Sequence, residues 1–178
     1  MRRLVDRARL LRFMAALGSE ARSDARVYLT GGASAVLLEW RMSTIDVDLE
    51  IVPVADEVLR ALPRLKEELE INVELAAPAH FIPELPGWQD RSPFIAREGR
   101  LSFHHYDFYA QALSKIERAH ARDVADVREM GSRGLIEPGT LARLFDSIEQ
   151  QLYRYPAIDP RSFRSAVERT VAELRTLK

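Results

Sequence analysis

Two short runs carry residue types that could do chemistry. The first is Thr30-Gly31-Gly32-Ala33-Ser34. Paired glycines let the backbone turn tightly and let a ligand approach the amides. A helix starting just after them would aim unsatisfied N–H groups at an anion, with phosphate the natural guest and the Ser34 hydroxyl a further donor. A plain strand-to-helix turn reads the same way. The second run is Asp46-Val47-Asp48. On a strand both carboxylates share one face, about 7 Å apart. Two such anions repel unless a cation sits between them, and Mg²⁺ favours carboxylate and phosphate oxygens. Charges that protect an exposed edge strand would also look like this.

Thirteen residues separate Gly32 from Asp46, room for one helix and a return strand. That spacing sets the glycine pair and the aspartate pair at neighbouring strand ends. The combination resembles the nucleotidyltransferase superfamily with the DNA polymerase β-like fold. Its signature is a Gly-Gly or Gly-Ser closing a strand, then a helix, then a strand bearing Asp-apolar-Asp. Arg41 and Thr44 resemble the basic and hydroxyl residues that lead into that strand. The resemblance implies a triphosphate at Gly31 and Gly32, with Arg41 and Thr44 near it. It also implies Mg²⁺ or Mn²⁺ on Asp46 and Asp48, and a third carboxylate on a neighbouring strand. Glu74 is our choice for that third group, as general base or second metal ligand; an ordinary exposed strand glutamate fits equally. Glu50 shares the aspartates' face one step further along.

Downstream, Leu113-Ser114-Lys115-Ile116 and Arg122-Asp123-Val124-Ala125-Asp126-Val127 resemble the helical motif of the AbiEii-like group of abortive-infection and toxin–antitoxin nucleotidyltransferases. In that group the motif faces the Gly-Gly and Asp-x-Asp site. The resemblance implies that Lys115 contacts nucleotide phosphates and that Asp123 and Asp126 complete the polar wall. Lys66, Lys115 and Lys178 are the only lysines beside 23 arginines. A helical lysine in such a chain suggests a site that wants a compact ammonium. A solvated helix face with i,i+4 pairs is the alternative.

The elements that must position these groups follow from periodicity. Arg3 to Leu17 reads as a helix with Leu4, Ala8, Leu11, Met14, Ala15 and Leu17 on one face, Arg2 among its basic residues and Gly18 as its stop. Arg26–Thr30 reads as a strand, Ala33–Trp40 as a helix, and Asp46–Val52 as a strand alternating strictly at period two. Val54–Glu70 reads as a helix broken at Pro63, and Ile71–Leu75 as a strand with Asn72 and Glu74 on its polar side. Phe94–Ala96 and Leu101–Tyr106 form a hairpin across Glu98-Gly99, which sends His104 and His105 to opposite faces. Phe81, Trp88 and Phe94 read as a hydrophobic clasp for the proline-rich stretch between Pro78 and Pro93. From Phe108 the pattern is helical, with breaks near Gly131, at Pro138-Gly139 and from Pro156 to Pro160. The fold class is α+β: a mixed-sheet core over 1–107 with an N-terminal helix, and an α-helical lobe over 108–178.

Composition bounds the partners. The 178 residues carry 26 Lys+Arg against 27 Asp+Glu and no cysteine. Disulfides, zinc ribbons, iron–sulfur clusters and thiol nucleophiles are excluded. No apolar run reaches the ~20 residues of a membrane span, and Met1 to Arg7 has no apolar stretch behind it, so we expect a cytoplasmic protein without membrane contact. Residues 46–74 hold nine acids and three bases, whereas residues 1–22 hold six bases and two acids. Basic ends flanking an acidic centre suit an RNA acceptor. The expected function is transfer of a nucleotide from an NTP to a hydroxyl on tRNA, protein or a small molecule. A small cognate partner protein belongs to the toxin–antitoxin setting. The rival reading is a non-catalytic partner or nucleotide-binding module on the same fold.

Overall fold

The computed structural model describes residues 3–177. Arg2, Met1 and Lys178, used in the sequence reading, lie outside the described residues. The fold is α+β, with seven strands and seven α-helices among the described residues. The chain divides into two compact units. The first runs to Ala77 and takes in Ser92–Tyr106; the second holds Pro78–Arg91 and the chain from Asp107.

In the first unit, β1 (Val5–Asp6) pairs with β3 (Ser43–Thr44) in a small ribbon. The main sheet contains β2 (Ala25–Thr30), β4 (Asp46–Val52), β5 (Asn72–Leu75), β6 (Phe94–Glu98) and β7 (Leu101–His105). Its order is β5-β4-β2-β7-β6. β4 runs antiparallel to β2 and parallel to β5, while β7 is parallel to β2 and antiparallel to β6. The Asp-x-Asp strand therefore lies inside the sheet, which removes the edge-strand explanation of its charges.

Alternation divides β4 cleanly. Val47, Leu49 and Ile51 are buried in the core, and Asp46, Asp48 and Glu50 are half-buried on the opposite face. Val27, Leu29, Val73 and Phe103 join the core face. Leu10, Phe13 and Met14 of α1 (Arg7–Glu20), Val36 of α2 (Gly32–Leu37), and Val58 and Leu65 of α3 (Asp56–Glu68) complete that core.

Several local expectations change. Helix α1 starts at Arg7, where the Asp6 side chain accepts from Arg9 N at 2.8 Å. Its buried face is Leu10, Phe13, Met14, Leu17 and Gly18, while Leu4 and Leu11 are exposed. Gly18 is not a stop but a contact: a Cβ there would sit 2.4 Å from Glu98 O in the hairpin. Helix α3 passes unbroken through Pro63. Its first-turn acids and last-turn Lys66 complement the helix dipole. The hairpin turns at Gly99-Arg100, one residue later than expected, with Gly99 at φ 56°.

The second unit is helical: α4 (Phe108–Arg118), α5 (Ala121–Ser132), α6 (Pro138–Glu149) and α7 (Pro160–Thr176). Asp107 caps α4 by accepting from Tyr109 N and is fully buried against Arg91 at 2.7 Å. Burial raises its carboxyl, and the Arg91 guanidinium opposes the rise only in part. Of the expected clasp only Trp88 is buried, with Ile82 and Leu85; Phe81 and Phe94 are exposed.

Candidate functional site

The junction after β2 is built for close approach. Gly31 has φ 60° and ψ −127°, a backbone that a side chain would strain. A Cβ on Gly31 would lie 3.2 Å from Asp48 Oδ2, and one on Gly32 would lie 2.0 Å from Thr44 Oγ1. The glycine pair thus seats directly on the aspartate strand and its lead-in. Thr44 Oγ1 also donates to Asp46 O at 3.0 Å, which fixes the bend into β4. Arg41 is half-buried in the same lead-in, its backbone N–H bonded to Ala35 O. Helix α2 is only six residues long, so any anion attraction here rests on the glycine backbone more than on a helix dipole.

Register assembles the carboxylates. Asp48 is opposite Thr30 on β2 and Glu74 on β5, and Asp46 is opposite Asn72. Asn72 Nδ2 donates to Asp46 Oδ1 at 2.6 Å and to Glu74 Oε1 at 3.0 Å. Asp46, Asp48, Asn72 and Glu74 therefore lie on one sheet face, with Glu74 the most exposed. Among the described residues no three His, Asp or Glu side chains form a group that could hold a metal. The donor chemistry that remains is a pair of hard carboxylates beside the glycine turn. That pair fits a Mg²⁺ or Mn²⁺ that takes its other oxygens from water and phosphate.

A family model described as "Nucleotidyltransferase of unknown function (DUF6036)" matches residues 8–174. The chain belongs to this family. No curated protein and no solved structure matches it. The Gly-Gly and Asp-x-Asp runs of this nucleotidyltransferase both fall inside the matched region.

Two other expectations meet a different geometry. Ser34 is completely buried, and its hydroxyl donates to Leu29 O at 3.1 Å. A hydroxyl has one proton, so it accepts from His105 Nδ1–H at 3.0 Å, which sets that ring's tautomer. The hydroxyl expected to donate to phosphate is therefore committed inside the fold. His105 is buried as well, and desolvation, with the neighbouring His104, lowers its pKa to about 4. His104 lies on the other face, its ring held by Ser102 Oγ and Ser92 O.

The helical motif belongs to the second unit. Lys115 Nζ of α4 is 2.8 Å from Asp126 Oδ2 and 3.3 Å from Asp123 Oδ1 of α5. Arg118 adds a two-pronged contact to Asp123 at 2.8 and 2.9 Å. Lys115, Asp123 and Asp126 are each at most 5% exposed. Burial pushes the Asp123 carboxyl up, but the Arg118 hydrogen bond and the Lys115 and Arg118 charges hold it below its usual value. These residues are therefore no solvated face: the ammonium neutralises two buried carboxylates and ties α4 to α5.

Asn72 is the site residue that sequence reasoning passed over. The signal was present, because it shares the polar side of β5 with Glu74. Only the register with Asp46 showed its use.

Proposed function

We propose that this nucleotidyltransferase moves a nucleoside monophosphate from an NTP to an acceptor hydroxyl, using Mg²⁺ or Mn²⁺ at Asp46 and Asp48. The observation that carries the reading is the seating of Gly31 against the Asp48 carboxylate, with Asp46 on the same face. When bound, the cation supplies charge neutralisation of the phosphates and polarises the bond being broken. The chain's own groups supply position. Asp46 and Asp48 present hard oxygens beside the glycine turn, where a close backbone approach is possible. Glu74, beside them, adds a third negative charge. Catalysis of this type is mostly orientation and electrostatics, which a rigid sheet face suits.

The acceptor we propose is a hydroxyl on RNA or protein, in a toxin–antitoxin or defence setting with a small partner protein. Lys115, Asp123 and Asp126 we assign to bracing α4 and α5 rather than to the phosphates, because each already has a buried opposite charge.

The test has two parts. Calorimetric titration with each NTP, with and without Mg²⁺, should show metal-dependent binding. A cell lysate incubated with the protein and each α-labelled NTP should reveal the labelled acceptor. Asp46→Asn combined with Asp48→Asn should abolish both while leaving the melting temperature in place. Transfer retained by the double variant refutes the assignment, and absence of any NTP binding at millimolar ligand points to the non-catalytic partner instead.

A further inference from the structure

Asn72 joins two strands at the carboxylate face. Its Nδ2 carries two hydrogens, one on Asp46 Oδ1 at 2.6 Å and one on Glu74 Oε1 at 3.0 Å. Asp46 is half-buried inside the sheet, whereas Glu74 is exposed on edge strand β5. A glutamate so placed would swing into solvent, away from another anion, unless something held it. The amide opposes that repulsion and adds no charge of its own. An aspartate at this position could donate to neither carboxylate, and a lysine would cancel the charge that draws a cation.

We propose that Asn72 is a positioning residue that keeps the Glu74 carboxylate beside Asp46, so that the negative charge of Glu74 acts on a cation held by Asp46 and Asp48. The inference rests on the cation site proposed above. It assigns Glu74 a role that depends on its tether: without Asn72 the exposed side chain is free to rotate and its charge is screened by water. Hydrogen-bond partners of ligating carboxylates commonly change metal affinity when removed. The signature here is more specific than a loss of affinity. Asn72 and Glu74 act as one unit, so their removal is not additive.

The experiment is a Mn²⁺ titration of the full chain, read by the electron paramagnetic resonance signal of free Mn²⁺. It compares wild type, Asn72→Ala, Glu74→Gln and the double variant, with melting temperatures as the folding control. Asn72→Ala is expected to weaken Mn²⁺ binding about tenfold, Glu74→Gln to a comparable degree, and the pair no further than the weaker single variant. Because Glu74 is exposed, Glu74→Gln keeps the comparison informative even if Asn72→Ala lowers stability. Unchanged or tighter binding in Asn72→Ala, or two losses that multiply in the double variant, overturns the role of Asn72 and leaves the Asp46–Asp48 site standing. A wild-type chain that binds no Mn²⁺ at millimolar concentration overturns the cation site itself, and this inference with it.

Discussion

Replacing His105 by asparagine removes one titrating ring from the interior while keeping a donor for Ser34, because the amide nitrogen overlays the ring Nδ1. The native ring is buried and neutral: its pKa falls from 6.5 to about 4 by desolvation first, then by the charge of His104. The unfolded ring binds a proton below 6.5 and the folded ring only below about 4, so between those values the unfolded state holds more protons. Stability from this group is complete above pH 6.5 and is lost as the pH falls toward 4. Between about pH 7.5 and about pH 5 the loss is on the order of 2 kcal/mol, from 1.36 kcal/mol per pH unit across the part of the window crossed. For a domain of this size that is about 4–8 °C in melting temperature.

Other groups leave the comparison clean. Glu57, Asp123, Glu149 and Asp159 have depressed pKa values, so their contributions are lost at lower pH, below the ordinary carboxylate range. Asp107, which burial raises, acts with opposite sign and is common to both proteins. The assay is thermal unfolding of both proteins in matched buffers over that pH range. His105→Asn should start less stable, because asparagine fills less of the site, and the gap should narrow by about 2 kcal/mol on acidification. Parallel curves would refute the claim that burial holds this ring neutral.

Lys115→Met removes the ammonium shared by buried Asp123 and Asp126 and should cost about 3–5 kcal/mol in urea unfolding. Lys115→Arg should cost less, about 1–3 kcal/mol, because it keeps the charge and overfills the space; equal stability of Lys115→Met and wild type would remove the brace. Gly18→Ala places a methyl 2.4 Å from Glu98 O. The clash is with backbone, so a loss of about 1–3 kcal/mol is expected by denaturant midpoint. An unchanged midpoint would show that α1 can shift off the hairpin freely.

Much of this protein is written in local pattern. The strict alternation from Asp46 to Val52 determined which side chains enter the core and which share the polar face, because a strand has no other way to divide them. The α+β class, the strand ahead of Gly31-Gly32 and the helical run from Phe108 followed from periodicity in the same way. Local pattern misplaced the buried face of α1 and read Gly18 as a stop, because the role of a glycine that admits a neighbouring strand is set by that neighbour.

Tertiary structure decided everything that depends on which strand lies beside which. Asn72 meets Asp46 across 26 positions of sequence because β5 runs parallel to β4 in that register. Ser34 turned inward because His105, 71 positions away, arrives on the core side of β7. The Lys115 motif shows the limit most sharply. Its charges were compatible with a phosphate contact or a solvated face; packing of α5 on α4 removed the solvated face and set the charges against one another. A charged side chain records that it needs a partner; only the packed chain determines whether that partner is water, a ligand or another buried charge.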